Sequence, residues 1–263
     1  YLSNFFRKID GEALLVLNGG FPGGETSRIA NIAWAKVSDA EAVQRNVHNF
    51  HNFAVLPRTG FGWFENWIDR RLRQSVGQFV GVSKVCADSL KVRSAFITCS
   101  RVSYIYNGID LHESGDKLRS QMDLRQQLDI GMAPLCLILA NYEPRKGYRF
   151  LFEAFAEVAK SFPNAHLVAC GGGTKEECEE VDFLRTKIAP ECNIHLLGFV
   201  PDGANLIGQA DVVVISSQSH ESFGLSATEA MVRGVPVVST RCGGLPEVLG
   251  DDGGAGYLVE TSD

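Results

Sequence analysis

Glu221 and Glu229 bracket the run Ser222-Phe223-Gly224-Leu225-Ser226-Ala227-Thr228, between an apolar stretch ending near Ser216 and a helical pattern that stops at Gly234. This order predicts a strand, a polar loop and a helix whose first amides, near Phe223, Gly224 and Leu225, have no acceptor inside the helix. Such a helix end favours an anion, and Gly224 lets the backbone come close to it. Carboxylates beside an anion make chemical sense when they hold hydroxyl groups. A nucleotide sugar offers both, with a diphosphate in the middle and ribose and hexose hydroxyls on either side. The plainer reading of the two glutamates is that they only complement the helix dipole. Lys146 begins another predicted helix, which is an electrostatically poor place for a cation unless it is merely solvated. It gains a purpose if it neutralises a phosphate whose charge grows as a bond to it breaks.

The elements that must position these groups alternate along the chain. Short β-branched or aliphatic runs occur at Ala13–Asn18, Val47–Phe50, Phe79–Ser83, Leu135–Ala140, His166–Cys170, Ile194–Leu197, Val212–Ser216 and Val235–Ser239. Helical patterns lie between them, as at Tyr148–Phe162, where Leu151, Phe152, Phe155 and Val158 recur at three- and four-residue steps. This alternation predicts an α/β fold with parallel sheets covered on both faces, and Val212-Val213-Val214-Ile215 suits a central strand. Ligands of such sheets sit beyond the carboxyl ends of the strands, where the Glu221 loop falls. A boundary is expected between Gly108 and Met132. Asn107-Gly108 is a turn signal, His112–Leu128 is polar and charged, and Gly131 to Pro134 introduces a new strand. The expected division is residues 1–110 as one domain, 111–130 as a linker and 131–263 as a second domain.

Composition narrows the partners. The chain has 263 residues, 45% hydrophobic and 21% charged, a globular balance rather than a disordered one. A net charge of −6 argues against a nucleic-acid partner, which would call for a basic surface. The seven cysteines are odd in number, lack a C-x-x-C pair and mostly sit in apolar runs, so they read as buried free thiols in a reducing cytoplasm. No apolar run is long enough to cross a bilayer. The six histidines are scattered with no ligand-like spacing, so no metal site is expected. The chain opens on Tyr-Leu-Ser-Asn and closes on Thr261-Ser262-Asp263, and both ends read as cut.

Beyond Glu229 and Ala230 the sequence continues with Gly234-Val235-Pro236-Val237-Val238 and then Gly243-Gly244-Leu245-Pro246-Glu247. Together with Glu221, this block closely resembles the signature of the family 4 retaining glycosyltransferases (glycosyl transferases group 1) of the GT-B fold. Tyr106-Asn107-Gly108-Ile109-Asp110 resembles the turn before their interdomain linker. Asn141-Tyr142-Glu143-Pro144-Arg145-Lys146-Gly147 resembles their Gly-Arg-Leu-x-x-x-Lys-Gly loop, and Ala169-Cys170-Gly171-Gly172-Gly173 their small-residue turn after the second strand. Leu197-Gly198-Phe199-Val200 resembles the segment that cups the base, and the likeness extends over residues 101–263. It implies two Rossmann-like parallel-sheet domains facing a cleft. The N-terminal, acceptor-side domain is expected to be incomplete, because its first strand resembles the family's fourth, and the closing C-terminal helices are expected to be missing.

The resemblance also implies roles. Glu229 would bind the ribose hydroxyls, and Glu221 would touch the donor sugar on its reactive side. The amides of Gly224 and Leu225, within the Ser222-Phe223 loop, would hold the diphosphate with Lys146. Gly171, Phe199 and Val200 would receive the nucleoside. Asn141 stands where the family usually has an arginine; it can hydrogen-bond a phosphate but not neutralise it, and Arg145 either compensates or points to solvent. In Val47-His48-Asn49-Phe50-His51-Asn52, His48 matches the family's His-Asn-aromatic order and is expected to face the donor sugar, acting in catalysis with Glu221 and Lys146. His51 is expected as a solvated loop residue, His195 as a strand residue, and His220 as either a site or a loop residue. The strand Leu15–Asn18 runs into the turn Gly19-Gly20-Phe21-Pro22-Gly23-Gly24, which lacks the spacing of a phosphate loop.

The activity implied is metal-independent, retaining transfer of a hexosyl group from a UDP- or GDP-sugar to a hydroxyl of a glycan or lipid-linked acceptor, in polysaccharide or glycoconjugate biosynthesis. The nucleotide sugar is a co-substrate, and no cofactor is implied. The alternatives are a nucleotide-sugar 2-epimerase-like isomerase of the same fold and a truncated, non-catalytic nucleotide-sugar-binding fragment. The expected location is the cytoplasm, with peripheral contact to the inner face of the membrane through the acceptor.

Overall fold

The apolar runs become parallel strands in two separate sheets. The structure, a computed structural model, describes residues 1–9, 11–109, 122–201, 203–251 and 254–261. The chain divides into two units, Tyr1–Asn107 and Gly108–Asp263.

In the first unit, α1 (Leu2–Phe6) precedes β1 (Leu15–Asn18), α2 (Glu25–Ala35), α3 (Ala40–Gln44) and β2 (Val47–Phe50). Then come α4 (Gly62–Ser75), β3 (Gln78–Gly81), α5 (Lys84–Ser89) and β4 (Val102–Tyr104). The sheet order is β1-β2-β3-β4, all parallel. The strand expected at Phe79–Ser83 ends early because Ser83 caps α5, its hydroxyl accepting from the Cys86 amide at 3.1 Å.

Two arginines are fully buried in this unit, and each is matched by an acid. Arg93 reaches Asp69 Oδ2 through Nε at 2.8 Å and Glu65 Oε2 through Nη1 at 2.9 Å. Arg28 Nη1 lies 3.4 Å from Asp69 Oδ1, and Arg58 Nε donates to Glu65 Oε1 at 2.6 Å. Burial pushes the Asp69 carboxyl up despite both arginines. Burial also works to raise Glu65, but hydrogen bonds from Arg58 and Arg93 hold it below the ordinary carboxylate range. The network joins α2, α4 and the segment around Arg93.

The second unit contains α6 (Leu124–Gln127), β5 (Leu135–Leu139), α7 (Tyr148–Ser161), β6 (His166–Cys170), α8 (Lys175–Ile188) and β7 (Asn193–Gly198). It continues with β8 (Val212–Ile215), α9 (Leu225–Val232), β9 (Val237–Thr240), α10 (Leu245–Leu249) and β10 (Tyr257–Val259). The order β10-β9-β8-β5-β6-β7 makes β5 and β8 neighbours, although the chain visits β6 and β7 between them. The chain therefore turns in opposite directions from this pair, a topological switch point. Helix α7 buries Tyr148, Leu151, Phe152 and Phe155 against Ile138, Leu167, Ala169, Val181 and Ile194. Thr174 and Glu177 form a reciprocal capping box on α8.

Of the segment expected as a linker, 111–130, residues 122–130 are described. Residues 122–130 carry α6 and bury Leu124 and Ile130 in the second unit's core. Residues 110–121, including Asp110 of the Asn-Gly-Ile-Asp turn, lie outside the described residues. Among the described residues no helix is long and apolar enough to cross a membrane, and all seven cysteines are free.

All three tryptophans, Trp34, Trp63 and Trp67, belong to the first unit, so tryptophan emission reports its unfolding alone. Arg93→Met removes the shared partner of two buried acids. It should destabilise this unit by roughly 3–5 kcal/mol, the range for breaking a buried pair. The measurement is the urea midpoint of tryptophan emission, which should fall at an unchanged slope.

Candidate functional site

The switch point brings two loops into backbone contact. The loop after β5 runs through Asn141–Gly147, and the loop after β8 through Ser216–Gly224. Gly147 adopts φ +72°, and a Cβ there would stand 2.1 Å from the Ser216 carbonyl oxygen. Gln218 donates its amide to the Arg145 carbonyl at 2.9 Å, and the Ser216 hydroxyl donates to the Lys146 carbonyl at 2.7 Å. The Lys146 side chain then meets Glu221, Nζ to Oε2 at 2.6 Å, with both side chains largely buried. The Ser217 hydroxyl adds a 3.2 Å bond to the same carboxylate oxygen.

A cavity of about 360 Å³ opens beside this pair, within the size range of small-molecule sites. Of the residues expected to bind the donor, Asn141, Arg145, Lys146, Gly171, Phe199, Val200 and Glu229 line it. Leu139, Ala140, Cys170, Gly172, Gly203 and Ala204 complete the wall. Glu221, Ser222, Phe223, Gly224 and Leu225 are not in this wall, but Lys146 both faces the cavity and holds Glu221. Gly171 belongs here by necessity, since a Cβ would lie 1.8 Å from the Ala140 carbonyl oxygen. Phe199 is a large apolar side chain left mostly exposed at the mouth.

Gly224 begins α9 at φ +95°, and a Cβ there would collide with Leu245 Cδ2 at 2.5 Å. The amides of Gly224, Leu225 and Ser226 precede that of Ala227, which donates to the Gly224 carbonyl at 3.0 Å. Glu229 follows in the second turn, half-buried. Burial raises its carboxyl above the usual range, with nearby Arg233 working against that rise. The Gly243-Gly244 pair supports the Glu221 loop from behind: the Gly244 amide donates to the Glu221 carbonyl at 2.7 Å. A Cβ on Gly243 would stand 2.0 Å from that same oxygen.

Arg145 is partly exposed but held by the chain. Its Nε pairs with Glu143 Oε2 at 2.5 Å and its Nη1 donates to the His220 carbonyl at 2.8 Å. Asn141 donates to the other Glu143 oxygen at 3.3 Å. The hydrogen bond from Arg145, larger than the opposing effect of burial, holds the Glu143 carboxyl below its ordinary range. Sequence reasoning missed Glu143, Ser217 and Ser226, the last donating to the Leu139 carbonyl at 3.2 Å. Glu143 stood inside a quoted motif, and an acid two residues from an arginine was the signal to follow.

His48 does not reach a ligand-accessible surface, which corrects its expected catalytic role. It is wholly buried in the first unit, with Nδ1 2.6 Å from Asn31 Oδ1 and the rings of Phe21 and Phe79 beside it. Burial, and secondarily the charge of Arg28, lowers its pKa to about 4. The side chains of β2 alternate in facing, and His48 falls on the face covered by α2. His51, just past the strand's carboxyl end, is exposed, its amide donating to the Asn18 carbonyl at 2.9 Å. The glycine-rich turn after β1 folds around Asn18, whose Nδ2 donates to the Pro22 carbonyl at 3.1 Å. A Cβ on Gly23 would strike that asparagine at 2.2 Å, so packing accounts for this glycine. His195 stacks on His166, Nδ1 of the latter 2.9 Å from Nε2 of the former. Among the described residues, no three His, Cys, Asp or Glu side chains converge as a metal site would require.

The profile of the family described as glycosyl transferases group 1 matches residues 120–263. The chain is 32% identical over 163 residues to the N-acetyl-alpha-D-glucosaminyl L-malate synthase of Bacillus anthracis, covering 62% of this chain and 41% of that protein. It is 28% identical over 232 residues to the D-inositol 3-phosphate glycosyltransferase of Segniliparus rotundus, covering 82% of this chain and 49% of that protein. The chain thus spans less than half the length of either relative. In structure it is similar to Anabaena HepE in complex with UDP and glucose, with TM-score 0.73, 21% identity, and coverage of 100% of this chain and 68% of that one. A Rickettsia africae glycosyltransferase gives TM-score 0.76 at 17% identity, covering 100% of this chain and 66% of the other. The fold shared with these structures is GT-B, each unit contributing one parallel-sheet α/β domain.

Two outcomes follow from the geometry. Gly243→Ala should displace the Glu221 carbonyl and cost at least about 1 kcal/mol from the positive φ alone. Differential scanning calorimetry of the second unit's transition checks this. His48 binds protons in the unfolded chain below pH 6.5 but in the folded unit only below about 4. The first unit should therefore lose stability as pH falls through that window, approaching about 3 kcal/mol at its lower end. His48→Gln should flatten the dependence in urea titrations followed by tryptophan emission.

Proposed function

The chain belongs to the glycosyl transferases group 1 family, and we propose on that footing that its second unit binds a nucleoside diphosphate sugar for hexosyl transfer with retention at the anomeric carbon. One observation carries the reading. Lys146, Glu229 and the turn at Gly171 share one cavity, and Lys146 joins it to Glu221, in the loop that leads into α9.

Each group then has a task. Glu229 accepts hydrogen bonds from the ribose hydroxyls, and Phe199 with Val200 covers the base. The amides of Gly224 and Leu225 receive the diphosphate, where the positive end of α9 and Lys146 offset its charge. As the phosphate takes Lys146, Glu221 is released to hold hexose hydroxyls. Arg145 and Asn141 stand at the same phosphates, both tethered to Glu143. In the transfer the bond between the anomeric carbon and the phosphate oxygen breaks, and a bond from that carbon to the acceptor oxygen forms on the same face. The acceptor proton passes to the departing phosphate. Positive charge from Lys146 and α9 stabilises that phosphate as it leaves, so this route is metal-independent. The acceptor is a hydroxyl of a glycan or lipid-linked molecule, in polysaccharide or glycoconjugate biosynthesis.

A thermal-shift panel of UDP- and GDP-sugars tests the donor, with UDP-glucose as the first candidate. At least one should raise the melting temperature, and a flat response across the panel sinks the reading. Glu229→Ala should weaken nucleoside-diphosphate binding about tenfold or more, the loss of hydrogen bonds to a charged group. Glu221→Gln should lower the transfer rate more than it lowers diphosphate affinity. Isothermal titration beside product assays separates the two, and the reverse pattern would overturn the assignment of roles.

A further inference from the structure

Helix α4 presents an outer face that neither the core nor the donor site uses. Trp63 is 77% exposed and Trp67 is 53% exposed. Phe64 lies between them, its ring 5.8 Å from Trp63 and stacked at 6.3 Å on Trp67. Phe61, at the helix N-cap, is also exposed. Arg70 and Arg71 continue the exposed stripe, and the Arg71 guanidinium sits 5.4 Å over the Trp67 ring. The helix's acids, Glu65 and Asp69, point inward and are taken by Arg58, Arg93 and Arg28. The outer face of α4 is therefore aromatic at its start, basic at its end and free of acid, on a chain whose net charge is −6.

Water is a poor neighbour for two exposed tryptophans and a phenylalanine set in one stripe. Tryptophan with an apolar body and a polar N–H is suited to the boundary between lipid headgroups and acyl chains. Two arginines beside it match anionic headgroups, and a convex helix face needs no groove in its partner. We propose that the outer face of α4 docks this unit on an anionic lipid surface. The proposal concerns the first unit alone, so a chain that bound no nucleotide sugar would still be expected to bind vesicles.

The test is sedimentation of the whole chain with vesicles of phosphatidylcholine, alone or mixed with phosphatidylglycerol, at low and high salt. The chain should pellet with the mixed vesicles only, and salt should release it. Tryptophan emission should shift to the blue on binding, because Trp63 and Trp67 enter the headgroup layer while Trp34 is already buried. Trp63→Ser with Trp67→Ser should abolish binding. Arg70→Gln with Arg71→Gln should weaken it about thirtyfold, the effect of two cations near a charged surface. Unchanged circular dichroism and melting would show that both variants are folded. Failure to pellet with either vesicle, or pelleting that the variants do not alter, overturns the proposal. So does a self-associated species, seen without lipid, that the tryptophan variant dissociates, since the face would then be an interface between protein copies.

Discussion

The second unit depends on how closely two loop backbones approach at the switch between β5 and β8. Gly147 against Ser216, Gly171 against Ala140 and Gly243 against Glu221 are all contacts in which a side-chain carbon would overlap a carbonyl oxygen. Gly147 thus permits the crowding that brings Lys146 to Glu221, while Gly243, after β9, backs the Glu221 loop and Gly171, after β6, packs against the loop after β5. Parallel strands cannot supply this by themselves, because they fix only where the loops begin. The loops pack because their backbones have nothing between them, and hydrogen bonds such as Gln218 to Arg145 then close the contact. A cluster built this way has little freedom to drift, which suits groups that must hold a geometry.

Much of this was legible in the sequence because the signals are local. The strands at Val47–Phe50 and His166–Cys170 coincide with their apolar runs, and the helix at Tyr148–Ser161 follows its three- and four-residue spacing. The cavity wall was read through motifs whose glycines report backbone approach. Val102–Tyr104 escaped notice because three residues carry no period. His48 was misassigned because motif order does not say which face of a strand a residue takes, and one position decides between core and surface. The buried network of Arg28, Glu65, Asp69 and Arg93 was invisible for another reason. Its members are scattered through the chain, and each alone reads as an ordinary surface charge.

The first unit is built on a different principle. Its interior carries ions and hydrogen-bonded polar groups, such as His48 on Asn31 and Asn46 on the Ser75 carbonyl at 2.6 Å. Buried charges with fixed partners set the rotation of α4 more sharply than apolar contacts would, because turning the helix would strand its acids. That rotation determines which side chains face outward, so the charge inside the unit governs the character of its surface.

The cations at the cavity already have acid partners from the chain itself: Lys146 has Glu221 and Arg145 has Glu143. On the proposed donor-site reading, a diphosphate arriving there would exchange one anion for another and would not fill an unmet charge. The exchange also runs in reverse. On that reading Glu221 and Glu143 would be tethered competitors, placed to reclaim the cations as a nucleoside diphosphate departs. Under the proposed function the site would carry its own displacing ligands, and turnover would gain from a grip on the product that is incomplete.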